Sequence, residues 1–169
     1  MTQDMRGKRV VITGANSGLG FESVRALAAA GATVIMACRN AQKAQAAVDK
    51  VLAETPGADV SVRTLDLASL ASIKAFADGM KADFTSIDVL LNNAGLMAIP
   101  RTLTADGFEM QLGTNHLGHF ALTGQLLELL EASPAVAAEL GQVEVRIVGT
   151  SEPCDAVITF CQSAEGSRG

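Results

Sequence analysis

Short apolar runs alternate with helix-period stretches along most of this chain, and the alternation sets the expected elements. Val10, Val11 and Ile12 make a run of strand length. A turn with Gly14, Gly18 and Gly20 follows, then Phe21, Val24, Leu27 and Ala28 at helical spacing. Gly31 ends that helix, and residues 33–38, Thr-Val-Ile-Met-Ala-Cys, read as a second strand. An alanine-rich helix is expected over 41–54 and is broken by Thr55-Pro56-Gly57. Residues 60–65 read as a third strand, a capped helix begins near Ser69, and residues 87–91 read as a fourth strand. The longest helical stretch is 104–131. On it Phe108, Leu112, Asn115, His119, Leu122, Leu126 and Leu129 share one face, while Leu117, Phe120, Leu127 and Leu130 make a second apolar face. Ser133, Pro134 and Gly141 mark a loop, and residues 143–149 read as a fifth strand. Residues 156–161 are apolar enough to add one strand to that edge, and the polar stretch 162–169 is expected to fray.

This order predicts an α/β fold, a doubly wound parallel sheet of Rossmann type with right-handed crossovers and about five strands in the order 3-2-1-4-5. A helix apolar on two sides is buried deeply or lies at a subunit contact, so a homodimer through 108–130 is an expected partner. Asn115 sits polar inside the first stripe. An unpaired amide there would be costly, so it should have specific partners.

Composition narrows the class. The chain has 169 residues, one domain by size, with 49% hydrophobic and 18% charged positions, which argues against disorder. A net charge of -5 without a basic run argues against nucleic acid. No apolar run reaches membrane-span length, and residues 1–8 are polar with no signal peptide, so the expected location is the cytoplasm. Cys38, Cys154 and Cys161 have no metal-ligand spacing, which suits reduced thiols. His116 and His119 have no nearby carboxylate or cysteine to complete a ligand set. Both read as structural, and no metal site is expected.

Candidate chemistry lies where strands meet turns. Strand, glycine turn and helix in succession form a phosphate-binding arrangement: glycine lets backbone approach a ligand, and the helix start offers unpaired N–H groups and a positive dipole end. The spacing here is Thr13-Gly14-x-x-x-Gly18-x-Gly20. Past the second strand come Cys38 and Arg39, with no acid between Met36 and Gln45. A carboxylate at that place would bind a ribose 2′-hydroxyl, whereas an arginine pairs with a 2′-phosphate. The alternative for Arg39 is a solvated surface residue. Past the fourth strand comes Asn92-Asn93-Ala94-Gly95, small residues where a ligand crosses a doubly wound sheet.

The Thr-Gly-x-x-x-Gly-x-Gly turn and the Asn-Asn-Ala-Gly string, in this order and separation, resemble the short-chain dehydrogenase/reductase family. The segment Asn115-His116-Leu117-Gly118-His119-Phe120 resembles its retinol dehydrogenase-like and protochlorophyllide reductase-like members. The resemblance implies an oxidoreductase that moves hydride between a nicotinamide cofactor, here NADP rather than NAD, and a small hydrophobic carbonyl or alcohol. It implies cofactor contacts at Thr13, Gly14, Asn16, Ser17, Gly18, Leu19, Gly20, Arg39, Asp66, Leu67, Asn93, Ala94 and Gly95. Asp66 contacts adenine in that family. Turn formation or helix capping is its alternative role. Asn115 holds a water in a proton relay there.

The family's proton donor is a Tyr-x-x-x-Lys pair after the fifth strand, aided by a serine at that strand's end. This sequence has no tyrosine, and its last lysine is Lys81. Ser151 is the candidate serine, although the register of Ile147 and Val148 favours Glu152 at that place. The resemblance implies a nucleotide-binding domain over 1–151 and an atypical tail over 152–169, as a frameshift or truncated gene would produce, with the family's last strands missing. Two readings stand: an NADP(H)-dependent oxidoreductase, catalytically incomplete in this chain, or a non-catalytic NADP(H)-binding fragment. Low solubility or self-association is expected with either.

Overall fold

The computed structural model describes residues 4–134, together with the backbone of 142–147 and 156–161. Four strands build the sheet: β1 (Arg9–Thr13), β2 (Thr33–Cys38), β3 (Val60–Thr64) and β4 (Val89–Leu91). They are parallel in the order β3-β2-β1-β4. Helices α1 (Gly18–Ala29), α2 (Ala41–Glu54) and α3 (Leu70–Asp83) connect them. A longer rod follows, made of α4 (Met110–Leu112), a π-turn (Gly113–Leu117) and α5 (Gly118–Glu131).

The pleat divides the core into two layers. Val10, Ile12, Val34, Met36 and Cys38 pack against α1 and α2 through Val24, Ala28, Ala44, Val48 and Val51. Val11, Ile35 and Ala37 face the other way, onto Ile73, Phe76 and Met80 of α3 and Leu122, Leu126 and Leu129 of α5. Alternate residues of β1 and β2 thus serve opposite layers, which is why these strands are apolar without a break. Side-chain caps fix where α2 and α3 begin: Asn40 Oδ1 accepts the N–H of Lys43 at 2.9 Å, and Ser69 Oγ accepts that of Ser72 at 3.3 Å.

Two expectations are corrected. Residues 104–109 are not helical. Thr104 and Phe108 close a turn, with Thr104 N–H on the Phe108 carbonyl at 2.8 Å and Gly107 at φ +84°. Glu109 then caps α4 by accepting from Gln111 and Leu112 at 3.0 and 2.8 Å. Turn and cap chemistry at Asp106-Gly107 and Glu109 outweighs the apolar spacing, which leaves Phe108 and Leu112 42% and 53% exposed. Of the predicted stripe, Phe108, Leu112 and Asn115 are thus not buried, and its full burial begins at His119.

The second correction concerns the sheet. Strand β5 (Gln142–Ile147) does not pair with β4 as a fifth parallel strand. It forms a separate antiparallel pair with β6 (Ala156–Cys161), in register from Gln142 opposite Cys161 to Ile147 opposite Ala156. The two runs are close in sequence, so pairing them costs little chain entropy and satisfies the edge of β5 locally. The expectation that 156–161 adds a strand beside 143–149 is met in this form. Residues 148–155 and 162–169 lie outside the described residues.

Candidate functional site: a groove over the carboxyl ends of the strands

All four parallel strands end at one groove of about 490 Å³. Its floor is the turn from β1 into α1, with Gly14, Asn16, Ser17, Gly18, Leu19 and Gly20 on the wall. Arg39 enters from the end of β2, Asp66 and Leu67 from the end of β3, and Asn93, Ala94 and Gly95 from the end of β4. Of the residues expected to touch a cofactor, Thr13 alone does not line this space. It is fully buried directly beneath it.

The floor is built for close approach. Gly14 has φ +63°, and a Cβ there would sit 2.8 Å from the Ala94 Cα. A Cβ on Gly20 would meet Asn93 Nδ2 at 2.5 Å and the Gly14 carbonyl at 2.7 Å. The β1 and β4 turns therefore touch backbone to backbone, and Asn93 Nδ2 fastens them by donating to the Thr13 carbonyl at 2.9 Å. The start of α1 differs from those of α2 and α3 because Ser17 makes no side-chain cap. Its first-turn N–H groups and dipole end face an open groove, which is the arrangement that binds a diphosphate. The groove thus fits the anionic part of a dinucleotide.

Arg39 is exposed on the groove wall beside Asn40 and Lys43. Asp66 Oδ1 accepts the Ala68 N–H at 3.0 Å and closes the turn into α3, the turn-forming role weighed for it, and the residue also lines the groove. Beneath the turn, the Cys38 thiol receives the N–H groups of Ala15 and Asn16. Burial pushes that thiol's pKa up, and the two hydrogen bonds pull against it.

Asn115 has the partners its position required. Its Oδ1 accepts the Leu96 N–H at 3.0 Å and its Nδ2 donates to the Leu96 carbonyl at 2.7 Å, so the π-turn is tied to the strand-end loop. His119, one helical turn on, is 1% exposed. Its Nδ1 lies 2.9 Å from the Asn115 carbonyl and its Nε2 2.9 Å from Thr13 Oγ1. That oxygen also accepts the N–H groups of Asn93 and Ala94, both at 2.9 Å. Burial pulls the His119 pKa below its ordinary value, the Asn115 carbonyl opposes this, and His116 adds to it. His116 itself is exposed. Among the described residues no three His, Cys, Asp or Glu side chains gather as a metal set. No helix there is long and apolar enough to cross a membrane. Ser151 and Glu152 lie outside the described residues.

Sequence reasoning passed over several contributors. Lys43 stands one turn beyond Arg39 on α2, a spacing readable once Asn40 is taken as the cap. Leu96 and Thr114 join the wall only because the π-turn folds back over the β4 loop. The Cys38 and His119 contacts had no sequence signal, since both link residues far apart in the chain.

Comparison with known proteins agrees with this geometry. Residues 8–150 match the model of a family described as short chain dehydrogenase. Human retinol dehydrogenase 12 is 44% identical over 165 residues, covering 93% of this chain and 52% of that protein. Human retinol dehydrogenase 13 is 49% identical over 127 residues, 75% of this chain and 38% of that protein. The chain spans about half the length of the curated relatives it matches. Among solved structures, an uncharacterized protein from Mycobacterium paratuberculosis is 56% identical, with TM-score 0.64 over 73% of this chain and 43% of that one. The Pseudomonas aeruginosa RhlG/NADP active-site complex is 27% identical, with TM-score 0.64 over 76% of this chain and 50% of that one.

Proposed function

The chain belongs to the short-chain dehydrogenase family, and on that premise we propose that its groove binds NADP(H) and serves oxidoreduction of a small hydrophobic carbonyl or alcohol. The observation that carries the reading is the uncapped start of α1 over the Gly14-Ala94 contact, with Arg39 and Lys43 at the β2 end of the same groove. First-turn amides of α1 would hold the diphosphate. Arg39, able to fork two donors onto one phosphate, would hold the 2′-phosphate, with Lys43 beside it. Asp66 and Leu67 flank the place for adenosine. When bound, the nicotinamide supplies the hydride that the carbonyl carbon accepts. Relatives named as retinol dehydrogenases support an apolar alcohol or aldehyde as the substrate class.

The family's Tyr-x-x-x-Lys proton donor is what these 169 residues lack. Asn115 is held in place on Leu96, yet the sequence has no tyrosine and no lysine after Lys81. The second reading, a non-catalytic NADP(H)-binding chain, rests on that observation. Losing a general acid lowers rate by about 10²–10⁴. Oxidation of NADPH with hydrophobic aldehydes and ketones separates the two readings: turnover above background supports the first, and its absence beside tight binding supports the second.

The binding proposal is tested by calorimetric titration with adenosine 2′,5′-bisphosphate and adenosine 5′-monophosphate. The bisphosphate should bind about tenfold more tightly or better, as one charge-assisted contact implies. Equal affinities would remove the NADP assignment. Exposed Leu112 and Phe120 leave the α4–α5 rod an apolar outer side, and we propose that a second copy covers it. A concentration-independent monomer in size-exclusion chromatography would rule that out.

A further inference from the structure

The mechanism proposed above does not use His119, although the residue is buried between the two turns that the groove depends on. Its environment dictates its chemical form. A carbonyl only accepts, so the contact with the Asn115 oxygen at 2.9 Å requires a hydrogen on Nδ1. The Nε2 atom of the neutral ring is then an acceptor facing Thr13 Oγ1 at 2.9 Å. That hydroxyl has one hydrogen to give. Its two lone pairs already receive the N–H groups of Asn93 and Ala94. The alternative acceptor for its hydrogen, the Leu91 carbonyl, is farther away at 3.3 Å. A chain of directed bonds therefore runs from the N–H groups of Asn93 and Ala94 into Thr13, from Thr13 into His119, and from His119 into the Asn115 carbonyl.

We propose that His119 is a positioning residue that holds two walls of the groove in one geometry. It orients the Thr13 hydroxyl that receives the Asn93-Ala94 turn, and it anchors the π-turn that presents Asn115 to Leu96. The function of those walls rests on the cofactor-binding reading, while the hydrogen-bond chain does not. A proton on Nε2 would point at an oxygen whose lone pairs are both occupied, so the Asn93 or Ala94 N–H would have to be released. Groove geometry is thereby tied to the neutral ring. Among the described residues few other charges bear on it, and Asp66 lies on the β3-end turn whose Leu67 carbonyl sits against Gly118. His116 lies on the same rod, Arg9 and Asp88 sit at the opposite, amino ends of β1 and β4, and the ion pair of α3 with α5, Lys81–Glu128, is exposed.

The test uses the full 169-residue chain and five variants: His119→Gln, His119→Phe, Thr13→Val, Thr13→Ser and the double variant His119→Phe with Thr13→Val. NADP⁺ affinity is measured by calorimetry between pH 5 and 8. His119→Phe and Thr13→Val should each weaken NADP⁺ binding about tenfold at pH 7.5, and the pair together no more than the worse of the two, because they break one chain. Thr13→Ser, which keeps the hydroxyl, should restore most of the affinity that Thr13→Val loses. The ratio of parent to His119→Gln affinity should fall with pH below the ordinary histidine range, which cancels any titration of the ligand itself. Additive losses, parent-like binding by His119→Phe, or a pH-independent ratio would overturn the proposal.

A readout without ligand keeps this independent of the cofactor assignment. In the free chain, ¹⁵N spectra of the two histidines should show one ring protonated on Nδ1 and bare at Nε2, and His119→Phe should shift the Asn93 and Ala94 amides. An Nε2-protonated His119 or unmoved amides would overturn it. If the parent fails to bind NADP⁺ and NAD⁺ while these spectra appear as expected, the cofactor reading fails and the positioning role stands.

Discussion

Replacing Gly14 by alanine tests the contact between the β1 and β4 turns, and the structure supplies the magnitude. At φ +63° the residue occupies the left-handed region, which costs a residue with a Cβ about 1–2 kcal/mol. The new Cβ would also lie 2.8 Å from the Ala94 Cα and 2.9 Å from its Cβ, so backbone must move. Overpacking of that kind costs about 1–3 kcal/mol. Gly18 isolates the first effect, because it has φ +56° and nothing within 4 Å of its Cβ position. Both variants recover about 0.4–1 kcal/mol through a less flexible unfolded chain. Gly18→Ala should therefore lose about 1 kcal/mol and Gly14→Ala about 3 kcal/mol. With a urea slope of about 2 kcal/mol/M, the Gly14→Ala midpoint should fall about 1 M below that of Gly18→Ala. The chain has no tryptophan or tyrosine, so far-UV circular dichroism reports the transition. Gly18→Ala should keep its fold yet lose NADP⁺ affinity, since its Cβ would enter the open groove. Equal midpoints for the two variants would refute the claim that the Gly14-Ala94 contact sets the floor.

Three further outcomes are expected. Burial raises the Asp88 pKa, but hydrogen bonds from the Arg9 N–H and the Ser133 hydroxyl, with the Lys8 ammonium, outweigh it and leave the carboxyl below its usual value of 3.8. Its contribution is complete above that value and is lost as pH falls through the folded-state pKa, so Asp88→Asn should be less stable at pH 7 and lose less on acidification, read by thermal melts. His119 has the opposite charge type but the same direction. With its folded-state pKa depressed by burial, the unfolded chain takes the proton first, and stability present above about pH 6.5 should drain away as pH falls; His119→Gln should flatten that part of the melting profile. Asn115→Ala leaves the Leu96 N–H and carbonyl without their partners and should cost about 1–3 kcal/mol in urea denaturation.

Where local rules and tertiary packing agree, the elements were readable from residues alone. Strand β2 and helix α2 have the bounds expected of them, because an uninterrupted apolar run and an Asn40 cap each admit one interpretation. The groove was readable for a similar reason: strand ends followed by small residues or Arg39 can only meet at the carboxyl edge of a parallel sheet. Residues 104–109 misled, because apolar spacing there competes with a local Glu109 cap and with an Asp-Gly turn whose Asp106 accepts the N–H of Leu70, 36 residues away. The fifth strand misled because its pairing is a contest between two edges, and periodicity does not say which edge wins.

The amino-acid order by itself determined the alternation of strand and helix, the glycine turn into α1, the basic residue past β2 and the absence of tyrosine, since each follows from covalent sequence and local backbone preference. Tertiary structure alone decided that Thr13 lies under the groove rather than on it, that Cys38 supports the turn, and that His119 joins Thr13 to the π-turn. Those facts depend on atoms up to 106 residues apart being packed to hydrogen-bond distance. No local pattern encodes a separation of that kind, because only the closed, water-free core makes a directed bond between such distant groups worth forming.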